Sequence, residues 1–245
     1  MRKIRLTLEF DGTGYAGWQI QANGIAVQQV VEEALEKVVG HPIRVIASGR
    51  TDAGVHAKGL VAHFQIDKDL PLGAFREGVN RFLPREIAVW DAREVGPGFH
   101  ARYDARGKWY RYQIWNDPIR SPLTARAAWH VSARLDLPAM RSGAAMLVGR
   151  HDFQAFRTAG CDAKTTIREI FSLSVQQAES LVIVDVKGEG YLRNMVRVMV
   201  GTLVGVGLKK REPEEIARLL MGEAGLRAGP TAPPHGLCLM EVWYD

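Results

Sequence analysis

The sequence predicts an α+β protein made of two tandem ferredoxin-like α/β halves with mostly antiparallel sheets. Three observations lead there. The chain opens on strict alternation, with Ile4, Leu6, Leu8 and Phe10 apolar and Arg5, Thr7 and Glu9 polar, the period of a half-buried strand. With that strand as the first, the elements run β-α-β-β-α-β, the split unit of a ferredoxin-like half. A chain of 245 residues is about one and a half domains at roughly 150 residues each, which two compact halves satisfy.

In the first half the opening strand leads into the turn-rich stretch Asp11 to Tyr15. Val27, Val30, Val31, Ala34, Leu35 and Val38 then fall at helical spacing with Glu32, Glu33 and Lys37 opposite. Ile43 to Ala47 reads as a second strand, and Leu60, Ala62, Phe64 and Ile66 alternate as a third. Asp69-Leu70-Pro71 marks a helix start, continued by Leu72, Phe75, Val79 and Phe82. Ile87, Val89 and Asp91 lie in the closing strand of this half.

The second half repeats the order. Trp109 to Trp115 is a strand, and Asp136-Leu137-Pro138 opens a helix through Met146. Ile167 to Gln176 and Leu181 to Lys187 are strands joined by a short polar turn. Leu192 to Val206 is a helix, Glu214 to Met221 an extra one, and Leu237 to Trp243 the closing strand. A boundary near residues 104 to 107 divides the chain into domains 1–105 and 106–245.

Hydrophobic residues make up 47% and charged residues 24%, which excludes a disordered chain. The formal net charge is +5, and its placement matters more than its size. Between Phe99 and Arg134, seven cations (Arg102, Arg106, Lys108, Arg111, Arg120, Arg126 and Arg134) face only Asp104 and Asp117, so this window holds the whole excess. Tyr103, Trp109, Tyr110, Tyr112 and Trp115 are interleaved with them. Cations for phosphates and rings for bases are what RNA asks of a surface, although a strand with one solvated face gives the same pattern. Cys161 and Cys238 are far apart and have no partner at metal-ligand spacing, which argues against a disulfide scaffold or a zinc site. The N-terminus has no signal-peptide core, and the longest apolar stretch, Val198 to Leu208, is short of the ~20 residues that span a bilayer. A cytoplasmic protein with no membrane partner is expected.

The loop Gly49-Arg50-Thr51-Asp52-Ala53-Gly54-Val55-His56-Ala57 carries the candidate chemistry. Its glycines permit tight turns around one carboxylate, Asp52, with Arg50 two residues before it. A carboxylate beside a guanidinium is held ionised and serves as nucleophile or general base, or it is no more than a surface ion pair in a turn. Asp52, His56 and His63 also invite a metal reading. One carboxylate is too few for a hard-metal hydrolase, and His63 falls on the polar side of its strand, where a solvated histidine is expected. No nucleotide-binding or serine-hydrolase motif occurs.

The Gly49 to Ala57 loop resembles the G-R-T-D-A-G-V-H signature of the tRNA pseudouridine synthase A family. The resemblance extends along the chain in the family's order. It includes Phe10 to Gln19, then Phe99-His100-Ala101-Arg102 with Lys108 to Tyr112. Gly149 to Phe153, Asn194 to Arg197, and Thr231-Ala232-Pro233 with Gly236-Leu237 complete it. It implies a pseudouridine-synthase-type fold and isomerisation of uridine to pseudouridine at tRNA positions 38, 39 and 40 in the anticodon stem-loop. A homodimer with no metal or organic cofactor is implied as well. Asp52 matches the catalytic aspartate, in the N-terminal domain, with Arg50 as loop arginine and Thr51 between them. In the C-terminal domain Tyr110 matches the base-stacking tyrosine, Arg197 the basic residue paired with the aspartate, and Leu237 an apolar lining of the base pocket. Arg102, Arg106, Lys108, Arg111 and Arg126 are the candidate tRNA contacts. The alternative is a non-catalytic tRNA-binding protein, which has no need of Asp52. The chain departs from the family pattern at two places. Ala26 removes a helix-capping hydroxyl, an expected loss of ~1 kcal/mol, and Gly225 stands where many members have Arg.

Overall fold

The structure is a computed structural model, and it describes residues 1–160 and 163–245. Cys161 lies outside the described residues. In chain order the elements are β1 (Arg2–Phe10), α1 (Val27–Val39), β2 (Ile46–Ala47), β3 (His56–Ile66) and β4 (Ile87–Val95). They continue with β5 (Gly107–Trp115), β6 (Trp129–His130), α2 (Leu137–Met146), β7 (Gly149–Asp152), β8 (Ile167–Ala178) and β9 (Leu181–Gly188). Then come α3 (Met195–Gly207), α4 (Glu215–Leu220) and β10 (Leu237–Trp243). The chain divides into two compact units, Met1–Arg106 with Cys238–Asp245, and Gly107–Leu237. The sequence groups 106–245 together, whereas the closing strand clusters with the first unit: Cys238 and Leu239 pair parallel to His56 and Ala57 of β3. A pairing between residues so far apart in the chain leaves no local signal.

In the first unit β1 is flanked by β4 and β3, both antiparallel to it. β2 adds antiparallel to β3 at Ile46↔His63 and Ala47↔Ala62. This is the ferredoxin-like order. Ile4, Leu6 and Leu8 are completely buried and Phe10 nearly so, each contributing roughly 1.5–3 kcal/mol by leaving water. The same period puts Arg5, Thr7 and Glu9 on the half-buried opposite face. α1 presents Val27, Val31, Ala34, Leu35 and Val39 to the core, one stripe at helical spacing. It ends where Gly40 turns left-handed and its N–H donates to the Glu36 carbonyl at 2.7 Å.

The strand expected over Ile43 to Ala47 is only Ile46–Ala47. The Val45 N–H donates to Glu32 Oε1 at 2.9 Å and the Val45 carbonyl accepts from Gln28 Nε2 at 3.1 Å, so α1 takes the bonds a ladder would need. The second helix of this unit contains a π-helical turn over Ala74–Gly78. Phe75 and Val79 are buried, whereas Leu72 and Phe82, expected on the same stripe, are exposed. A wider turn changes which positions share a face.

The capping loss expected at Ala26 is offset. Ala26 makes no side-chain cap bond, but the Val27 and Gln28 N–H groups donate to the Gly17 and Trp18 carbonyls at 3.1 and 3.0 Å. Two of the four orphan donors at the helix start are thereby satisfied by the chain that precedes it.

In the second unit the sheet order is β5-β9-β8-β7, all antiparallel, with β6 parallel to β5 on the other edge. The short strands β6 and β7 carry too few residues to show a period. Asp136 caps α2 by accepting from the Ala139 N–H at 3.1 Å, as its Asp-Leu-Pro start implies. α3 begins at Met195 because Asn194 is left-handed, φ 60°, and it is buried nearly all round. One reason is the segment Gly229–Ala232, which lies against it. A Cβ on Gly201 would come within 1.7 Å of the Pro230 carbonyl oxygen, so only glycine admits this contact. The Gly229 N–H donates to Thr202 Oγ1 at 2.9 Å.

Candidate active site

Asp52 sits half-buried in a loop pinned by backbone bonds. The Thr51 carbonyl accepts from the Trp18 N–H at 3.1 Å, and the Tyr15 carbonyl accepts from the Gly54 N–H at 3.3 Å. The Asp52 carbonyl accepts from the Val55 N–H at 3.1 Å, closing the turn. Gly17 is at φ +94°, and a Cβ there would approach the Thr51 carbonyl oxygen to 2.6 Å. The carbonyls of Gly17 and Trp18 are also those that cap α1, so one short segment ties the helix start to the Asp52 loop. The Gly12 N–H donates to His56 Nδ1 at 3.0 Å just beyond it. The backbone under Asp52 is therefore held from several directions, which is what a positioned carboxylate requires.

Arg50 is exposed while Thr51 is buried. Thr51 Oγ1 is buried with no hydrogen-bond partner among the described residues.

His63 is not the solvated strand histidine the alternation suggests. It is 4% exposed, and its Nδ1 accepts from the Ala101 N–H at 3.1 Å. The Phe99 and His100 rings lie against it. Burial, then the nearby His100 and Lys3, push it down to about 4, so it is neutral at physiological pH.

In the second unit Tyr110 is half-buried on β5 opposite Val186, edge-on to Tyr191 with ring centroids 5.2 Å apart. The Tyr191 hydroxyl donates toward the Lys108 and Val186 carbonyls at 3.0 and 3.1 Å, fixing the ring against which Tyr110 rests. Arg197 stands in the first turn of α3. Its Nε donates to the Ala232 carbonyl at 2.7 Å and a terminal nitrogen to Asn194 Oδ1 at 2.8 Å. The Ala232 N–H returns a bond to the Arg197 carbonyl at 3.1 Å. The Asn194 to Arg197 and Thr231 to Pro233 blocks, separate in sequence, thus form one bonded cluster. The Tyr112 hydroxyl joins it by donating to the Pro233 carbonyl at 2.8 Å, and burial raises its pKa. Leu237, buried at the start of β10, follows this segment.

The basic–aromatic window does not form one face. Strand alternation sends Lys108, Tyr110 and Tyr112 to one side of β5 and Trp109 and Arg111 to the other. Arg111 is held bidentate by Asp185, 2.9 Å at each oxygen, and the Trp109 indole N–H donates to the same carboxylate at 2.7 Å. Arg111 sits directly across from Asp185 in the ladder, so its charge is committed within the protein. Arg102, Arg106 and Arg126 are exposed, and Lys108 is half-buried. Asp185 and Tyr191 were not singled out by the sequence, since cross-strand partners carry no local spacing. Asn194 stands three residues before Arg197, a spacing that places both at one helix turn and could have signalled its role.

Residues 7–104 and 144–245 match a family model described as tRNA pseudouridine synthase. A curated protein of Syntrophotalea carbinolica named tRNA pseudouridine synthase A is 60% identical over 244 residues, covering 100% of this chain and 97% of the relative. One of the same name from Pelobacter propionicus is 55% identical, covering 100% of both chains. One from Geobacter sulfurreducens is 53% identical with the same coverage.

Proposed function

Because the chain belongs to the tRNA pseudouridine synthase family, we propose that it modifies the tRNA anticodon stem-loop at positions 38, 39 and 40, with Asp52 as the essential carboxylate. The reaction is an isomerisation of uridine to pseudouridine. The C1′–N1 bond breaks, the base rotates, and C1′ joins C5. N1 ends with a proton and C5 loses one, so nothing is oxidised and no water is consumed. The observation that carries the assignment of Asp52 is its loop: one carboxylate on backbone pinned by Trp18, Tyr15 and Val55. Its carboxylate adds to C6, attacks C1′ or removes a sugar proton; each route needs it ionised.

The target uridine must leave its stack to be reached, at a cost of a few kcal/mol. Tyr110 is the ring that receives the base, braced by Tyr191, and its hydroxyl is the group that carries the C5 proton. Arg197, oriented by Asn194 and Ala232, takes the part of the family's basic residue. Leu237 lines the base pocket, with Thr51 beside the carboxylate. Arg50, which is exposed, is suited to a phosphate. Arg102, Arg106, Lys108 and Arg126 supply the remaining positive surface. Arg111 is the weakest of the expected phosphate contacts, since Asp185 already neutralises it. The working form is a cytoplasmic homodimer, which light scattering at micromolar concentration checks.

Mapping pseudouridine in an unmodified tRNA after incubation with the protein tests the assignment. New pseudouridine confined to positions 38–40 is the expected result. Modification elsewhere, with those positions untouched, contradicts it.

A further inference from the structure

The loop Phe99–Asp104 holds a large exposed ring on rigid backbone. Tyr103 is 76% exposed, yet it is stacked on the His100 ring, with centroids 4.3 Å apart and planes at 28°. The Arg102 guanidinium carbon lies 5.9 Å from the Tyr103 centroid. The backbone beneath is fixed. His100 Nδ1 accepts from the Arg102 and Tyr103 N–H groups at 3.1 and 3.2 Å, and Asp104 Oδ2 accepts from the His100 N–H at 2.8 Å. The Asp104 N–H donates to the His100 carbonyl at 3.1 Å.

Both polar groups of the Ala101 residue are held from the sheet. Its N–H donates to buried His63, and its carbonyl accepts from the Tyr244 hydroxyl at 2.8 Å. The Tyr244 ring carries the Arg5 guanidinium, 4.8 Å from its centroid. A protein gains little by fixing an exposed aromatic so firmly unless something stacks on it, because an immobile ring loses no further entropy on binding. A ring already stacked, beside an arginine, matches the chemistry of a nucleobase with its phosphate.

We propose that Tyr103, supported by His100 and flanked by Arg102, is a stacking platform for one unpaired base of the tRNA, other than the uridine that reacts. The proposal rests on the tRNA reading above and extends it to a second point of base recognition. Bases inside a duplex present no free face, so the occupant is a loop, bulge or end nucleotide. Tyr103 supplies affinity and register while the chemistry belongs to Asp52.

The test compares binding of an unmodified tRNA transcript, in an Asp52→Asn background that stops turnover, for the parent and for Tyr103→Ala, Tyr103→Phe, Tyr103→Trp and Arg102→Ala. Loss of a stacked ring in Tyr103→Ala should weaken binding about tenfold with an unchanged salt slope, because no phosphate contact is lost. Tyr103→Phe should bind within about twofold of the parent and Tyr103→Trp at least as tightly, since both keep a π-face. Arg102→Ala should lower the salt slope by about one. The thermal midpoint of each Tyr103 variant should match the parent, as the side chain is exposed. Parent-like binding by Tyr103→Ala overturns the proposal. So does an equal loss in Tyr103→Phe, which would assign the effect to the hydroxyl. A change of oligomeric state in Tyr103→Ala on light scattering also overturns it, since the ring would then contact protein. Pseudouridine formation by the wild-type protein is measured in parallel. Its absence would remove the functional reading, whereas the Tyr103 comparison still reports on RNA binding.

Discussion

His63 shows how a single residue's environment becomes a measurable pH dependence. Its neutral form is held by burial and by the Ala101 N–H, so its folded value, about 4, lies below the ordinary 6.5. The unfolded chain therefore binds more protons between those values, and the stability His63 contributes is present above pH 6.5 and lost as pH falls toward 4. Chemical denaturation across that window should show the stability gap between wild type and His63→Gln narrowing as pH falls; a constant gap would contradict the account. The function proposed above gives the Tyr110 ring and its hydroxyl separable roles. Tyr110→Phe keeps the edge-on contact with Tyr191 and should retain tRNA affinity while slowing turnover by about one to three orders of magnitude. Tyr110→Ala should weaken engagement of the flipped base as well. Single-turnover rates over a tRNA concentration series separate the two, and wild-type rates in Tyr110→Phe would remove the hydroxyl from the proton transfer.

At the scale of elements, two helix starts with different sequences solve the same problem in different ways. α2 is capped locally by Asp136, and α1 is capped by the carbonyls of Gly17 and Trp18. Asp136→Ala should therefore cost about 1 kcal/mol, whereas Ala26→Ser should bring no stabilisation, because two of the orphan donors, that of Gln28 included, are already satisfied and Ala26 is completely buried. Urea denaturation of both variants checks this, and a gain of about 1 kcal/mol in Ala26→Ser would contradict it. The same pair shows what the sequence carries. The β1 alternation, the α1 stripe and the Asp-Leu-Pro cap are local patterns and were legible. The shortened second strand was not, because Glu32 and Gln28 take the Val45 bonds from another element. The placement of β10 beside β3 and the pairing of Arg111 with Asp185 were hidden for the same reason: they are contacts between distant positions. The Asp52 loop was the most legible part of the candidate site because its residues are contiguous. The Arg197 cluster was legible only as separate blocks, and it took the fold to join them.

For the whole molecule, the net charge of +5 is concentrated between Phe99 and Arg134, but not on one surface. Arg111 is neutralised by Asp185, and alternation along β5 puts it opposite Tyr110. The exposed cations Arg102, Arg106 and Arg126 remain the simplest source of a salt-dependent affinity for tRNA. Binding is nevertheless common to enzymes and to non-catalytic tRNA-binding proteins; the role proposed for the Asp52 carboxylate is what separates them. Tritium release from tRNA labelled at uridine C5 therefore tests the central claim most directly, measured for wild type and Asp52→Asn at equal tRNA occupancy. The account predicts one tritium released per pseudouridine formed by wild type, and a rate lower by about two to four orders of magnitude or more in Asp52→Asn. Equal release by the two proteins would contradict it.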